Sequence, residues 1–169
     1  MSNTENLNNK EAIDKLKSLV NDIMVCLFCT DLKTDDGSTC RPMNAIKVCD
    51  KGNILFFSEK SSDKNKAIAT DKDVQLFFSH PGKSTYLVLN GEAEIILDKM
   101  IIEELWTPLA KIWFKKGKDD PNISIIKVTP TTAYYWDNDG NRMINFLKMV
   151  ASVVTGTNLI TDKEGAITI

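Results

Sequence analysis

Apolar positions recur along this chain with two periods, and the change from one to the other marks its elements. From Asn8 to Ile23 they fall at Ala12, Ile13, Leu16, Leu19, Val20 and Ile23, steps of three and four that share one face of a helix. Asn8 and Glu11 stand at the spacing of a capping pair at its start. This helix is expected to pack on a sheet or on a partner subunit. Beyond it the apolar runs become short, β-branched and aromatic, as strands are. Met24 to Thr30 is the first, and Asp35-Asp36-Gly37-Ser38 is a hairpin signal joining it to a strand that begins near Cys40.

The stretch from Cys40 to Phe78 reads as strand, turn, strand, polar loop, short helix and strand. Arg41-Pro42-Met43-Asn44 opens it, Asp50-Lys51-Gly52-Asn53 turns it, and Ile54 to Ser58 returns. Glu59 to Lys64 is the loop, Asn65 to Thr70 the helix and Val74 to Phe78 the closing strand. Pro42 lacks a backbone donor, which suits a strand end, an edge or a bulge. After the Pro81-Gly82 turn, Thr85 to Leu97 is a long strand with Gly91 inside it. A glycine there marks a bulge or a close backbone approach, a device that bends a sheet into a barrel. Asp98 to Trp106 reads as a short helix before Pro108. Ile123 to Trp136 reads as a strand pair or one long bent strand, irregular at Thr129-Pro130. Asn138-Asp139-Gly140 is a turn, and Arg142 to Thr155 is apolar enough for a helix buried on several sides, as at a subunit interface. Thr157 to Ile169 carries little pattern and reads as a mobile tail. The expected fold is mainly β with flanking helices, an antiparallel barrel. Residues 1–22 form its N-terminal helix, 23–156 the barrel domain and 157–169 the tail.

Composition narrows the class. A hydrophobic fraction of 43% over 169 residues suits one globular domain with its own core. Lys plus Arg is 21 against 23 for Asp plus Glu, a net charge of −2, which speaks against a nucleic-acid binder held by phosphate attraction. The basic and aromatic stretch from Lys111 does not change this, because Asp119 and Asp120 end it. No apolar run has the length of a membrane span, and the polar N-terminus is unlike a signal peptide. No membrane partner and a cytoplasmic location are therefore expected. Cys26, Cys29, Cys40 and Cys49 are then expected as reduced thiols. Cys26-Leu27-Phe28-Cys29 spells C-x-x-C, but strand positions three apart face opposite ways. With His80 the one histidine, no metal site is expected.

Arg41 and Lys64 lie far apart in sequence but meet if the strands around them pair. The serine-rich turn between them adds free backbone N–H groups and the positive end of a helix dipole. Together these make a place for a phosphate monoester. A surface hairpin with two solvated cations is the other reading, and the residues alone leave both open. Trp113 and Trp136 either fill the core or stack on a flat ring.

Arg41-Pro42-Met43, then Phe56-Phe57-Ser58, then Ser62-x-Lys64 together resemble the flavin mononucleotide (FMN) motif of the pyridoxamine 5'-phosphate oxidase-like split barrels. Gly91-Glu92-Ala93-Glu94, Leu105 to Phe114, Gly117 to Pro121 and Tyr135-Trp136 resemble, within that superfamily, the general stress protein 26 group. The likeness spans Ile23 to Gly156. It implies a split barrel, a homodimer and two flavin sites at the subunit interface. By that resemblance Arg41 and Lys64 hold the FMN phosphate and Ser62 hydrogen-bonds it. Pro42, Met43, Asn44, Phe57 and Ser58 line the flavin through backbone groups. Tyr86 stands where the superfamily often has Gln, and Trp136 closes over the ring from the other subunit. Trp113, with Lys111, belongs to a loop that covers the flavin. No catalytic acid or base is identified. The authentic oxidases grip vitamin B6 with a C-terminal Arg-x-His, which does not follow Trp136 here, so oxidation of that substrate is not expected. The implied function is a flavin-binding, stress-related protein acting as an FMN-dependent oxidoreductase on an unknown small substrate. A non-catalytic flavin binder, sensor or buffer is the alternative.

Overall fold

The computed structural model describes residues 3–4, 7–34, 37–137 and 163–168. In chain order these form β1 (Asn3–Thr4), β2 (Leu7–Asn8), α1 (Asn9–Ile23), β3 (Val25–Thr30), β4 (Thr39–Val48), β5 (Ile54–Glu59) and α2 (Asp63–Thr70). There follow β6 (Asp73–His80), β7 (Thr85–Ile96), α3 (Lys99–Leu105), β8 (Ile123–Asp137) and β9 (Lys163–Thr168). Short 3-10 turns cover Pro81–Lys83, Pro108–Ile112 and Gly117–Asp119. Neighbouring strands run β8-β5-β4-β3-β6-β7, and β7 pairs back onto β8. Every pairing in that ring is antiparallel, so the sheet closes into a barrel.

Strand alternation fills the barrel with Phe28, Phe56, Leu76, Leu87, Leu89 and Tyr135, all fully buried. The apolar face of α1, Ala12, Leu16, Leu19 and Val20, joins the same cluster, as its periodicity predicts. Outside the barrel, α3 and the turns after it bring Ile102, Leu105, Ala110 and Phe114 onto Leu55, Ile123 and Ile125.

The β7–β8 ladder slips at one point. Asn90 faces Thr132, whereas Gly91 faces Pro130, so Thr131 is the extra residue of a bulge. Its hydroxyl donates to the Asn90 carbonyl at 3.1 Å. A Cβ on Gly91 would stand 2.6 Å from the Thr129 carbonyl oxygen, which is why glycine sits there. The bulge also exchanges the faces of β8. Ile126 and Val128 face the core before it, and Ala133 and Tyr135 after it, so Tyr134 and Trp136 point outward.

Three expectations need correction. Helix α2 starts at Asp63, so Lys64 lies in its first turn rather than in the loop before it. The Ser62 side chain accepts from the Asn65 N–H and draws the start forward. Lys163–Thr168, read as part of a mobile tail, is strand β9 against the far end of β8, with Ile167 opposite Ala133 and buried. Backbone pairing there does what the weak side-chain pattern does not announce. The third concerns thiols. Cys26 faces the core and Cys29 the outside, as alternation requires, but β3 pairs with β4 so that Cys29 stands directly opposite Cys40. Their Cα atoms are 4.1 Å apart and the two form a disulfide. Cys26 and Cys49 are free, and burial pushes the Cys26 thiol up to about 12. The turn expected at Asn138–Gly140 and the helix expected at Arg142–Thr155 lie outside the described residues.

Candidate functional site

Arg41 projects from β4 at the end of the β3–β4 ladder, and its Nη1 donates to Thr30 Oγ1 at 3.1 Å. Lys64 comes from the first turn of α2. The fold brings the two within each other's field: each is half-buried, and the Lys64 pKa is held down by burial first and then by the charge on Arg41. Glu59 opposes that lowering. The Arg41 guanidinium is likewise lowered by burial, against the opposing fields of Asp31 and Asp63. Lysines elsewhere find carboxylates, among them Lys17 with Asp50 at 2.8 Å and Lys127 with Glu94 at 2.7 Å. Asp63 itself is engaged by Lys66 at 2.9 Å. Among the described residues neither Arg41 nor Lys64 has an ion-pair partner within 4 Å. Two half-buried cations within each other's field, with no ion pair within 4 Å, carry positive charge that their own carboxylates do not neutralise by contact.

A buried polar chain fixes α2 beside them. Ser58 Oγ donates to Asn65 Oδ1 at 2.7 Å, Asn65 Nδ2 to Ser124 Oγ at 2.9 Å, and Ser124 Oγ back to the Ser58 carbonyl at 3.1 Å. Ser62 Oγ lies 3.5 Å from Ser58 Oγ at the head of the helix. The network ties β5, α2 and β8 into one frame, and each of its buried hydroxyl and amide groups has a partner there. Asn65 and Ser124 escape sequence reasoning. Only the spacing of Ser62 and Asn65 hints at a cap, and Ser124 shows its role only once β5 and β8 pair.

The remaining predicted residues divide between surfaces. Pro42 and Asn44 face outward on β4 beside Leu27 and Val25 of β3. The same outer face continues through Phe77 and Val88 to Tyr134 in one cross-strand row. Tyr86 opposite Trp136 stands in the next. Trp136 is 40% exposed, with its ring edge-on to Tyr134 at 4.7 Å, so it does not fill the core. Met43 faces the main core, opposite Cys26 in the β3–β4 ladder, so its side chain is not available to line a ligand. Ser58 spends its side chain on the polar network. The Phe57 ring packs against Trp106 and Phe114 at 5.9 and 6.1 Å. Trp113 ends the turn Pro108–Ile112 and is 61% exposed; it flanks the covered face of β5, whereas Trp136 belongs to the open one.

The closed barrel with its flanking helices is an architecture that solved proteins share. The chain belongs to the pyridoxamine 5'-phosphate oxidase-like family, whose profile matches residues 11–160. A structure from Jannaschia sp. CCS1, placed with general stress protein 26, superposes with a TM-score of 0.75 at 22% identity, covering 93% of this chain and 95% of that one. General stress protein 26 of Bacillus anthracis str. Sterne gives 0.64 at 21% identity over 73% and 92% of the two chains. The general stress FMN/FAD binding protein of Xanthomonas citri gives 0.66 at 25% identity over 79% and 93%. Protein bli-3 of Neurospora crassa is 23% identical over 129 residues, 70% of this chain; the match spans 62% of the length of that curated relative.

Proposed function

We propose that this protein binds flavin mononucleotide between two subunits of a homodimer and uses it as an oxidoreductase on a small substrate. One observation carries the reading: Arg41 and Lys64, half-buried and within each other's field, have no ion-pair partner within 4 Å among the described residues. A phosphate monoester carries close to two negative charges at neutral pH and offers three acceptor oxygens, a match for a guanidinium, an ammonium and the head of α2. The similarity to a Xanthomonas citri protein described as FMN/FAD binding supports the choice of flavin. Pro42 and Asn44, on the adjacent outer face, are where the ring would lie. Tyr86 and Trp136, exposed on that face, supply aromatic edges around it. The open apolar face of Leu27, Phe77 and Trp136 is where a second copy docks, completing each site from both subunits. Flavin supplies the redox chemistry when bound, and the protein holds, orients and tunes it.

Titration of the apoprotein with FMN and with riboflavin tests the reading. FMN should bind more tightly by about 1.5–3 kcal/mol, the worth of a charge-assisted contact. Equal affinity would mean that no phosphate site exists. Pyridoxamine 5'-phosphate should not be turned over, and aerobic oxidation at ~1 s⁻¹ or faster would return the protein to the vitamin B6 oxidases.

A further inference from the structure

We propose that Cys29 and Cys40 form a thiol–disulfide switch that governs how firmly Arg41 holds a flavin phosphate; the inference rests on the flavin reading above. The pair is built into the edge of the site. On the outer face the β3–β4 ladder runs Val25–Asn44, Leu27–Pro42, Cys29–Cys40, so the disulfide is the rung next to Pro42. Its two cysteines each precede or follow a member of the same polar contact. Cys40 is bonded in sequence to Arg41, Cys29 to Thr30, and Arg41 Nη1 donates to Thr30 Oγ1 at 3.1 Å. Thr30–Thr39 is the last rung of this ladder. The disulfide therefore adds a covalent clamp to the strand end that aims the guanidinium, and its loss leaves that end held by the backbone pairs Phe28–Arg41, Cys29–Cys40 and Thr30–Thr39, the last of which is free to fray.

Cys40 remains reachable. It is exposed, whereas Cys29 is buried. Their row continues through Gln75, Asn90 and Thr132, joined by side-chain hydrogen bonds of 2.9 and 3.0 Å. That row is polar, so it forms the rim of the apolar face and not its centre. Reduction by a dithiol follows from this asymmetry. A thiolate of the reductant bonds to Cys40 Sγ, the electron pair of the Cys29–Cys40 bond passes to Cys29 Sγ, and that sulfur takes a proton. The second thiol of the reductant then displaces Cys40 Sγ, which is protonated in turn, and the reductant leaves as its own disulfide. A low-molecular-weight disulfide reverses the change, taking up two electrons and two protons as it becomes two thiols.

The test uses the full chain equilibrated with oxidised glutathione or with dithiothreitol. Alkylation after denaturation counts thiols: two should be labelled in the oxidised protein and four in the reduced. Reduction should weaken FMN binding about three- to tenfold, a part of the full worth of the Arg41 contact, and leave riboflavin binding unchanged. The double variant C29S/C40S should bind FMN like the reduced protein in both conditions. Four labelled thiols in the oxidised protein would overturn the proposal, as would equal FMN affinity in the two states. Failure to bind either flavin in either state would instead overturn the flavin reading itself.

Discussion

Two apolar patches lie on the outside of the barrel, and the chain treats them differently. Over β5 and the first half of β8, Leu55, Ile123 and Ile125 are covered by α3 and the turn carrying Phe114. Over β3, β6, β7 and the second half of β8, Leu27, Phe77, Tyr86 and Trp136 remain 37–50% exposed. Among the described residues nothing packs over them. The first patch is core by the ordinary criterion of removal from water. The second has the composition of core without the burial, which in a folded protein marks a surface for another molecule. The bulge at Gly91 separates them, because it exchanges the faces of β8 and sends Trp136 outward with the open patch.

The largest effect should come from uncovering the first patch. Phe114→Ala should cost about 3–5 kcal/mol of stability, read by urea unfolding. Leu27→Ser on the open patch should leave monomer stability within about 0.5 kcal/mol yet lower the mass seen by light scattering from that of the proposed dimer to 18.9 kDa. If both variants cost the same stability, the distinction between the patches is wrong.

Gly91→Ala should follow, at about 1–3 kcal/mol, because the added Cβ meets the Thr129 backbone, which cannot swing aside. Any rescue of the fold that shifts the register of β8 should also bury Trp136, visible as a blue shift of its fluorescence.

At the cation pair the effect is on affinity. Arg41→Ala should weaken FMN by about 1.5–3 kcal/mol and leave riboflavin unchanged in equilibrium titrations. pH adds a sign. The second ionisation of a phosphate monoester lies near 6, so FMN affinity should rise through that pH. It should fall again as pH climbs through the Lys64 pKa, which burial holds below 10.5. For the apoprotein the same lowered pKa works the other way. The cost of the buried ammonium is present below that pKa and disappears as pH rises through it, so stability rises there. Riboflavin binding should show neither limb.

The smallest effect concerns Trp136. Trp136→Phe should weaken flavin binding by about 0.5–1.5 kcal/mol without changing apoprotein stability, and should reduce flavin quenching of tryptophan emission. Unchanged quenching and affinity would remove Trp136 from the site.

How far the sequence reveals this arrangement depends on the range of each interaction. The α1 face, the Gly91 bulge and the Arg41 and Lys64 candidates are legible because period, backbone freedom and charge are local properties. The partnership of Cys29 with Cys40 is set by the register between β3 and β4, which residue spacing does not supply. Ser124 gains its meaning from a strand sixty-six residues earlier in the chain. Strand β9 is held by pairing with β8, and its Gly165 and Ala166 leave little alternation to read.

The most direct test of the central claim is a crystal structure of the protein grown with FMN. The account predicts the phosphate against the Arg41 guanidinium, the Lys64 ammonium and the head of α2. It predicts the ring over Pro42 and Asn44, with a second copy seated on the face of Leu27 and Phe77. A phosphate bound elsewhere, with Arg41 and Lys64 left in solvent, would contradict it.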